Sequence, residues 1–358
     1  MAYTTINKPT DHFREKLYNG NSTDNTTITW DETGTNFGTN LWLWIKNRTA
    51  STPQEHWLTD SLRGATNFLE SNSANAQSNA GGNFAYTTNG FVVDNNARTN
   101  RDTVVAWGWK AGASASNTDG DITSTVAVNS TAGFSIVKYA GSGTPSDTVG
   151  HGLGSGGLDW IIAKEYDASE FWRVKHKDHN SNHNQYLNNS NAEADQATSI
   201  ADGGLANLTA SNTFGFVQGT SNANTVNESG KNYIAYCFKE VKGFSKFGVY
   251  KGNANSNGPF IYLGFRPAWL LIKHRNGNNE WEIYSSKRTG FNPSNDHLNA
   301  HDVTNDDTSD NRLDLLSNGF KIRAGSSGPL NASTGYYLYA AFAEAPIVGT
   351  NNVPATAR

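Results

Sequence analysis

Trp42-Leu-Trp-Ile-Lys46, Trp160-Ile-Ile-Ala-Lys164 and Trp269-Leu-Leu-Ile-Lys273 are three versions of one phrase: a tryptophan, three apolar residues and a lysine. Each is too short for a helix and rich in Trp, Leu and Ile, so each reads as the central strand of a sheet. Trp160 follows Trp42 by 118 residues and Trp269 follows Trp160 by 109. That period matches a domain-sized repeat.

Four further landmarks recur around the phrase in constant order. An aromatic and a glycine turn precede it, in Tyr18-Asn-Gly20, Tyr139-Ala-Gly141 and Tyr250-Lys-Gly252. A second tryptophan follows, at Trp57, Trp172 and Trp281, and then a leucine amid Asn and Ser, at Leu69, Leu187 and Leu298. An aromatic strand closes each copy, over 104–110, 233–239 and 337–343, with Trp109, Phe238 and Phe342 as its last rings. Five ordered landmarks in three copies predict three tandem units on one scaffold, with loops of variable length between them.

The units read as all-β. Hydrophobic residues are 36% and charged residues 17%, so polarity comes from Asn, Ser, Thr and 35 Gly, the composition of short strands joined by polar turns. Ten Trp, 14 Tyr and 17 Phe supply enough to bury that disorder is not expected. Asn89-Gly90 and Asn318-Gly319 lie between apolar runs, where Asn-Gly suits a type I′ hairpin; Asn212-Thr213 predicts a different turn in the second copy. One short helical turn is expected near Leu62–Glu70. The architecture expected is three antiparallel β-sandwich units of jelly-roll type. Their bounds are 16–112, 132–241 and 242–345, after a lead-in at 1–15. A polar linker at 113–131 acts as a flexible joint, and a tail at 346–358 forms an extended arm. Each unit is expected to hold its own core.

Several function classes are excluded. The net charge is -4 and the cations are scattered, which speaks against a nucleic-acid partner. Cys237, the one cysteine, sits in an apolar run and reads as a buried, inert thiol. No apolar segment nears the ~20 residues that span a bilayer, and the start lacks the apolar core of a signal peptide. An adhesin-like composition without export signal or disulfides fits a protein released by host lysis.

Gly133-Phe-Ser-Ile-Val-Lys-Tyr139, Val149-Gly-His-Gly-Leu153, Gly243-Phe-Ser-Lys-Phe247, Gly264-Phe-Arg-Pro-Ala-Trp269 and Leu316-Ser-Asn-Gly-Phe-Lys321 resemble a set of marine bacteriophage proteins. The resemblance covers most of the chain and is weakest before residue 130, where Gly38-Thr-Asn-Leu-Trp42 replaces the usual phrase. It implies a virion or tail-associated protein with concanavalin A-like, lectin-type domains. It implies partners among other virion proteins and host-surface carbohydrate, and a place in the virion. That family has no established chemistry, so no site residue carries over. A homotrimer is an expectation from fibre architecture alone, because the chain lacks the heptads of a stalk.

No enzyme activity and no cofactor are expected. The chain lacks the Glu-x-Asp-x-x-Glu run of sandwich glucanases, and it lacks a Gly-x-Ser-x-Gly elbow. Asp302 to Asp310 reads as a solvated loop. Gly152 to Gly157 has no following helix for a phosphate loop. His176, His179 and His183, and the stretch Asn117 to Asp121, read as loops rather than metal sites. The remaining candidates are the second tryptophans with a following cation: Trp57 with Arg63, Trp172 with Lys177 and Trp281 with Arg288. A tryptophan face beside a cationic donor could seat a sugar in a shallow cleft. The plainer reading is that these rings belong to the core.

Overall fold

The computed structural model describes residues 3–33, 36–210, 212–221, 225–288, 292–294, 296–325 and 329–351. Apart from one 3-10 turn, Pro9–Asp11, its regular elements are strands, and every ladder between them is antiparallel. No helix among the described residues is long and apolar enough to cross a membrane. The turn expected near 62–70 instead leads into the strand Asn67–Leu69.

Among the described residues six sheets form three pairs. In each larger sheet an opening strand pairs with the closing strand, the closing strand with the Trp–Lys strand, and that with the strand of the second tryptophan. The opening strands are Phe13–Asn19, Phe134–Ala140 and Ser245–Lys251. The closing strands are Thr103–Lys110, Asn232–Phe238 and Tyr336–Pro346. Each smaller sheet has three strands, with Gly90–Val93, Thr213–Val217 or Gly319–Ile322 in the middle.

The residues from the Trp up to the Lys of each phrase are apolar, in keeping with burial on both faces of the strand. Leu41, Leu43 and Ile45 face the smaller sheet of the first pair, and Trp42 and Trp44 face away from it. Ile161 and Ala163 against Trp160 and Ile162, and Leu270 and Ile272 against Trp269 and Leu271, repeat the alternation. The outward faces of all three larger sheets meet in one aromatic core. Trp42 stacks on Tyr236 at 4.2 Å and on Trp109 at 4.6 Å. Trp109 meets Trp269 edge-on at 5.3 Å, and Phe238 lies 5.7 Å from Phe342. Each pair thus has a core of its own and a share in a fourth.

The stretch 113–131, expected as a flexible linker, carries the strands Ser114–Asn117 and Ser124–Asn129. They extend the second pair's sheet beyond its opening strand. The lead-in is likewise part of the fold: Ile6 and Phe13 are buried in the shared core. The tail, expected as an arm, is held as far as it is described, since the Thr350 N–H donates to Asn7 Oδ1 at 2.6 Å.

The hairpins at Asn89-Gly90 and Asn318-Gly319 form, but not as type I′ turns. Thr87 pairs with Gly90 and Leu316 with Gly319, so the turn residues lie one position earlier, and neither Asn-Gly pair has positive φ. The glycines serve close approach instead. A Cβ at Gly90 would lie 2.0 Å from Ile28 O, and one at Gly319 would lie 2.0 Å from Ile261 O.

A buried asparagine in each pair escaped the sequence reading. Tyr18, Tyr139 and Tyr250 donate their hydroxyls to the carbonyls of Thr99, Val226 and Leu330 at 2.6, 2.8 and 3.0 Å. The next residues are Asn100, Asn227 and Asn331, all buried. Each accepts from the backbone just past the glycine turn and donates to a carbonyl two residues on. Asn331 also donates to Ala324 O at 2.7 Å. We expect Asn331→Ala to cost about 2–3 kcal/mol, from three lost hydrogen bonds. Urea melts that coincide with wild type would rule this out.

Candidate functional site

The six sequence candidates are placed by strand register. Leu58, Val174 and Ile283 sit opposite Trp44, Ile162 and Leu271 and so occupy one position. Two residues before them stand His56, Trp172 and Trp281. The first pair's counterpart of the second tryptophan is therefore His56, and Trp57 is one residue out of phase. A one-residue offset sends a side chain to the opposite face. Trp57 accordingly lies in the first pair's own core, stacked on Phe68 at 3.7 Å, while Trp172 and Trp281 lie in the shared core. All three rings are buried, so none offers a face to a sugar.

The cations divide along a different line. Arg63 and Arg288 are buried and hydrogen-bond the carbonyls of Leu58 and Ile283. Arg63 pairs with Asp60 at 2.6 Å, and Asp60 also accepts the Tyr236 hydroxyl of the second pair at 2.9 Å. Arg288 pairs with Asp306 at 2.5 Å and lies over the Trp107 ring of the first pair. Lys177 is exposed and pairs with Asp159 at 2.8 Å; the residue at the arginines' position in the second pair is His179. The candidates are thus not gathered into sites. Trp172, Trp281, Arg63 and Arg288 are parts of the joints between pairs, whereas Trp57 belongs to the first pair's core and Lys177 to the surface.

Those joints form a closed ring. The Trp172 indole donates to Glu70 O in the first pair at 2.8 Å, and the Trp281 indole to Tyr186 O in the second at 2.9 Å. His56 Nε2 meets Asn299 O in the third at 3.0 Å, while its Nδ1 accepts from the Trp44 indole at 2.8 Å. The acceptor carbonyls adjoin Leu69, Leu187 and Leu298, which places that landmark at the joints. The landmark lysines are buried beside them and bond to carbonyls. Lys46 donates to Gln54 O and to Val303 O of the third pair. Lys164 donates to Glu165 O and Ala168 O, and Lys273 to Asn279 O and to Ser190 O of the second pair. Among the described residues none of the three makes an ion pair. Burial pushes their pKa values down, to about 8, 8 and 7.

The joint between the second and third pairs has a smaller side chain at its centre. Ala340 stands where the first and second pairs place Trp107 and Tyr236. A cavity of about 10 Å³ remains there, lined by His176, Trp281 and Tyr339 among others, with room for roughly one water. His176 is buried, accepts from the Asp178 N–H at 3.0 Å, and is pushed down to about 3, first by burial and then by Lys177. Its folded value lies below the unfolded ~6.5, so it removes stability as pH falls through that range. We expect His176→Gln to reduce the acid loss by about 1.4 kcal/mol per pH unit between pH 6 and 4. Parallel pH profiles of urea stability would contradict it.

His179 Nε2 meets Gln185 at 3.1 Å, and no group of three or more His, Cys, Asp or Glu among the described residues could hold a metal ion. One cleft stands apart from the packed joints. It lies between the first and third pairs, has a volume of about 290 Å³, and is lined by Phe13, Glu15, Ala268, Ser286 and Lys287 among others. Glu15 and Ser286 carry no repeat landmark, so nothing in the sequence marked them.

A family model described as a domain of unknown function, DUF7483, matches residues 8–346. No curated protein and no solved structure matches the chain.

Proposed function

From its membership of the DUF7483 family, whose function is unknown, and from its packing, we propose that the chain is a non-enzymatic structural protein of a bacteriophage particle. On this reading the three sheet pairs are copies of one jelly-roll, concanavalin A-like sandwich. They form a tail- or fibre-associated appendage that contacts host-surface glycans. The observation that carries the reading is the use of the shared landmarks. The repeated tryptophans, lysines, tyrosines and leucines are committed to cores and joints, as in a rigid building block. The Asn, Ser, Thr and Gly loops are left for the surface. Common strand order and the tyrosine hydroxyls that each bond the carbonyl just before a buried asparagine support descent of the pairs from one module.

Antibody labelling of particles under the electron microscope tests the role. Label on tail or fibre, with binding of one sugar class on a glycan array, is the expected result. Label confined to heads, with a silent array, would replace the appendage by a decoration protein. Release of reducing ends from host polysaccharide would replace both by a depolymerase.

A further inference from the structure

We propose that the cleft between the first and third sheet pairs binds one neutral sugar ring of a surface polysaccharide, an assignment that rests on the glycan-contact reading above. The cleft's volume of about 290 Å³ lies at the small end of ligand pockets, suited to one ring rather than a chain. Phe13, Ala268 and Ala343 supply apolar lining for a C–H face, and Thr10 and Ser286 supply hydroxyls.

Glu15 is the polar group that points to a ligand. It is 3% exposed and lines the cleft. Its Oε1 accepts the Trp107 indole N–H at 3.2 Å and the Ser285 hydroxyl lies near the same carboxyl, while Oε2 makes no well-formed hydrogen bond of its own. Leaving a buried oxygen unpaired costs about 1–3 kcal/mol, which a ligand hydroxyl placed there would recover. Burial raises the pKa of this carboxyl, against the pull of Ser285, Arg288 and Lys287.

The rim disfavours a charged ligand, because its charges already neutralise one another. Lys287 donates to Glu15 O at 2.8 Å and pairs with Asp31 at 3.2 Å and Glu32 at 3.6 Å. Arg266 pairs with Glu344 at 2.9 Å. What remains is an apolar floor, hydroxyls and two buried carboxylate oxygens, Glu15 Oε2 and Glu32 Oε2, that can accept from a ligand hydroxyl. That set suits a neutral polyol.

Saturation-transfer NMR on the full chain with millimolar glucose, galactose, mannose and N-acetylglucosamine provides the test. Transfer to at least one sugar is expected. It should fall at least tenfold in Ala268→Trp, within the strand Phe265–His274, and in Ser286→Trp, just past the strand Trp281–Ser285, with near-UV circular dichroism confirming that both stay native. Exposed Tyr336, far from these strands in sequence and outside the cleft lining, supplies the control Tyr336→Ala, which should keep the signal. Transfer that survives both filled variants would overturn the cleft while upholding glycan contact elsewhere. Silence in wild type would overturn the cleft and glycan contact together, and particle labelling would then decide the structural role by itself.

Discussion

Trp42→Ala should destabilise all three sheet pairs at once, by about 4–5 kcal/mol. Large-to-small aromatic changes in a core cost about 3–5 kcal/mol, and the stacked pairs add about 1 more. Trp42 belongs by sequence to the first pair, yet it stacks on Tyr236 of the second and lies within 6.1 Å of Phe238. Phe238 in turn meets Phe342 of the third. Because the core is common, its loss should be shared. Hydrogen exchange would be expected to lose protection in the closing strands 103–110, 232–238 and 336–346 together. The bead-like arrangement expected from the repeat makes the opposite forecast: residues 13–110 would open alone, with 132–346 still protected. Observing that pattern would refute the shared core as the unit of stability.

The second large effect concerns charge. Lys273→Met should cost about 3–5 kcal/mol at pH 7, because it strands carbonyls that now have a donor. Lys273 is 1% exposed and donates to Asn279 O at 2.7 Å and Ser190 O at 2.8 Å. The Ser190 bond crosses from the third pair to the second, so the joint should loosen as well. The pH dependence has a definite sign. Burial holds the folded lysine near 7, below its unfolded ~10.4, so the folded state sheds its proton first. Wild type should therefore gain stability between pH 7 and 9, and the variant should gain less, keeping only the share that Lys46, Lys164 and Lys175 supply. Urea melts at pH 7 and 9 measure both quantities. Equal stability of the two proteins would show that the carbonyls find water instead.

The landmarks were legible in the sequence because each repeats a local constraint. The Trp–Lys phrase had to be a strand, since its apolar residues are contiguous and too few for a helix. The Tyr–x–Gly turn recurs because the glycine admits a neighbouring chain and the tyrosine reaches a carbonyl. Other readings failed where they depended on partners far along the chain. Trp57 was grouped with Trp172 and Trp281 by its place in the order, but facing is set by register, and one residue sends it to the other side of the sheet. The linker at 113–131 looked flexible by composition, although its strands find a free sheet edge. Asn100, Asn227 and Asn331 were hidden among many other asparagines. Only their hydrogen bonds distinguish them.

The opening phrase shows where the division falls. By itself the sequence determined an all-β chain with repeated central strands, because composition and short-range pattern dictate strands and turns. It could not say what the second face of those strands touches. An apolar run buried on both sides reads the same whether the second cover comes from its own unit or from two others. That choice was decided only when Trp42, Trp160 and Trp269 met in one cluster of rings, and two indole–carbonyl bonds and one imidazole–carbonyl bond closed the three pairs into one body.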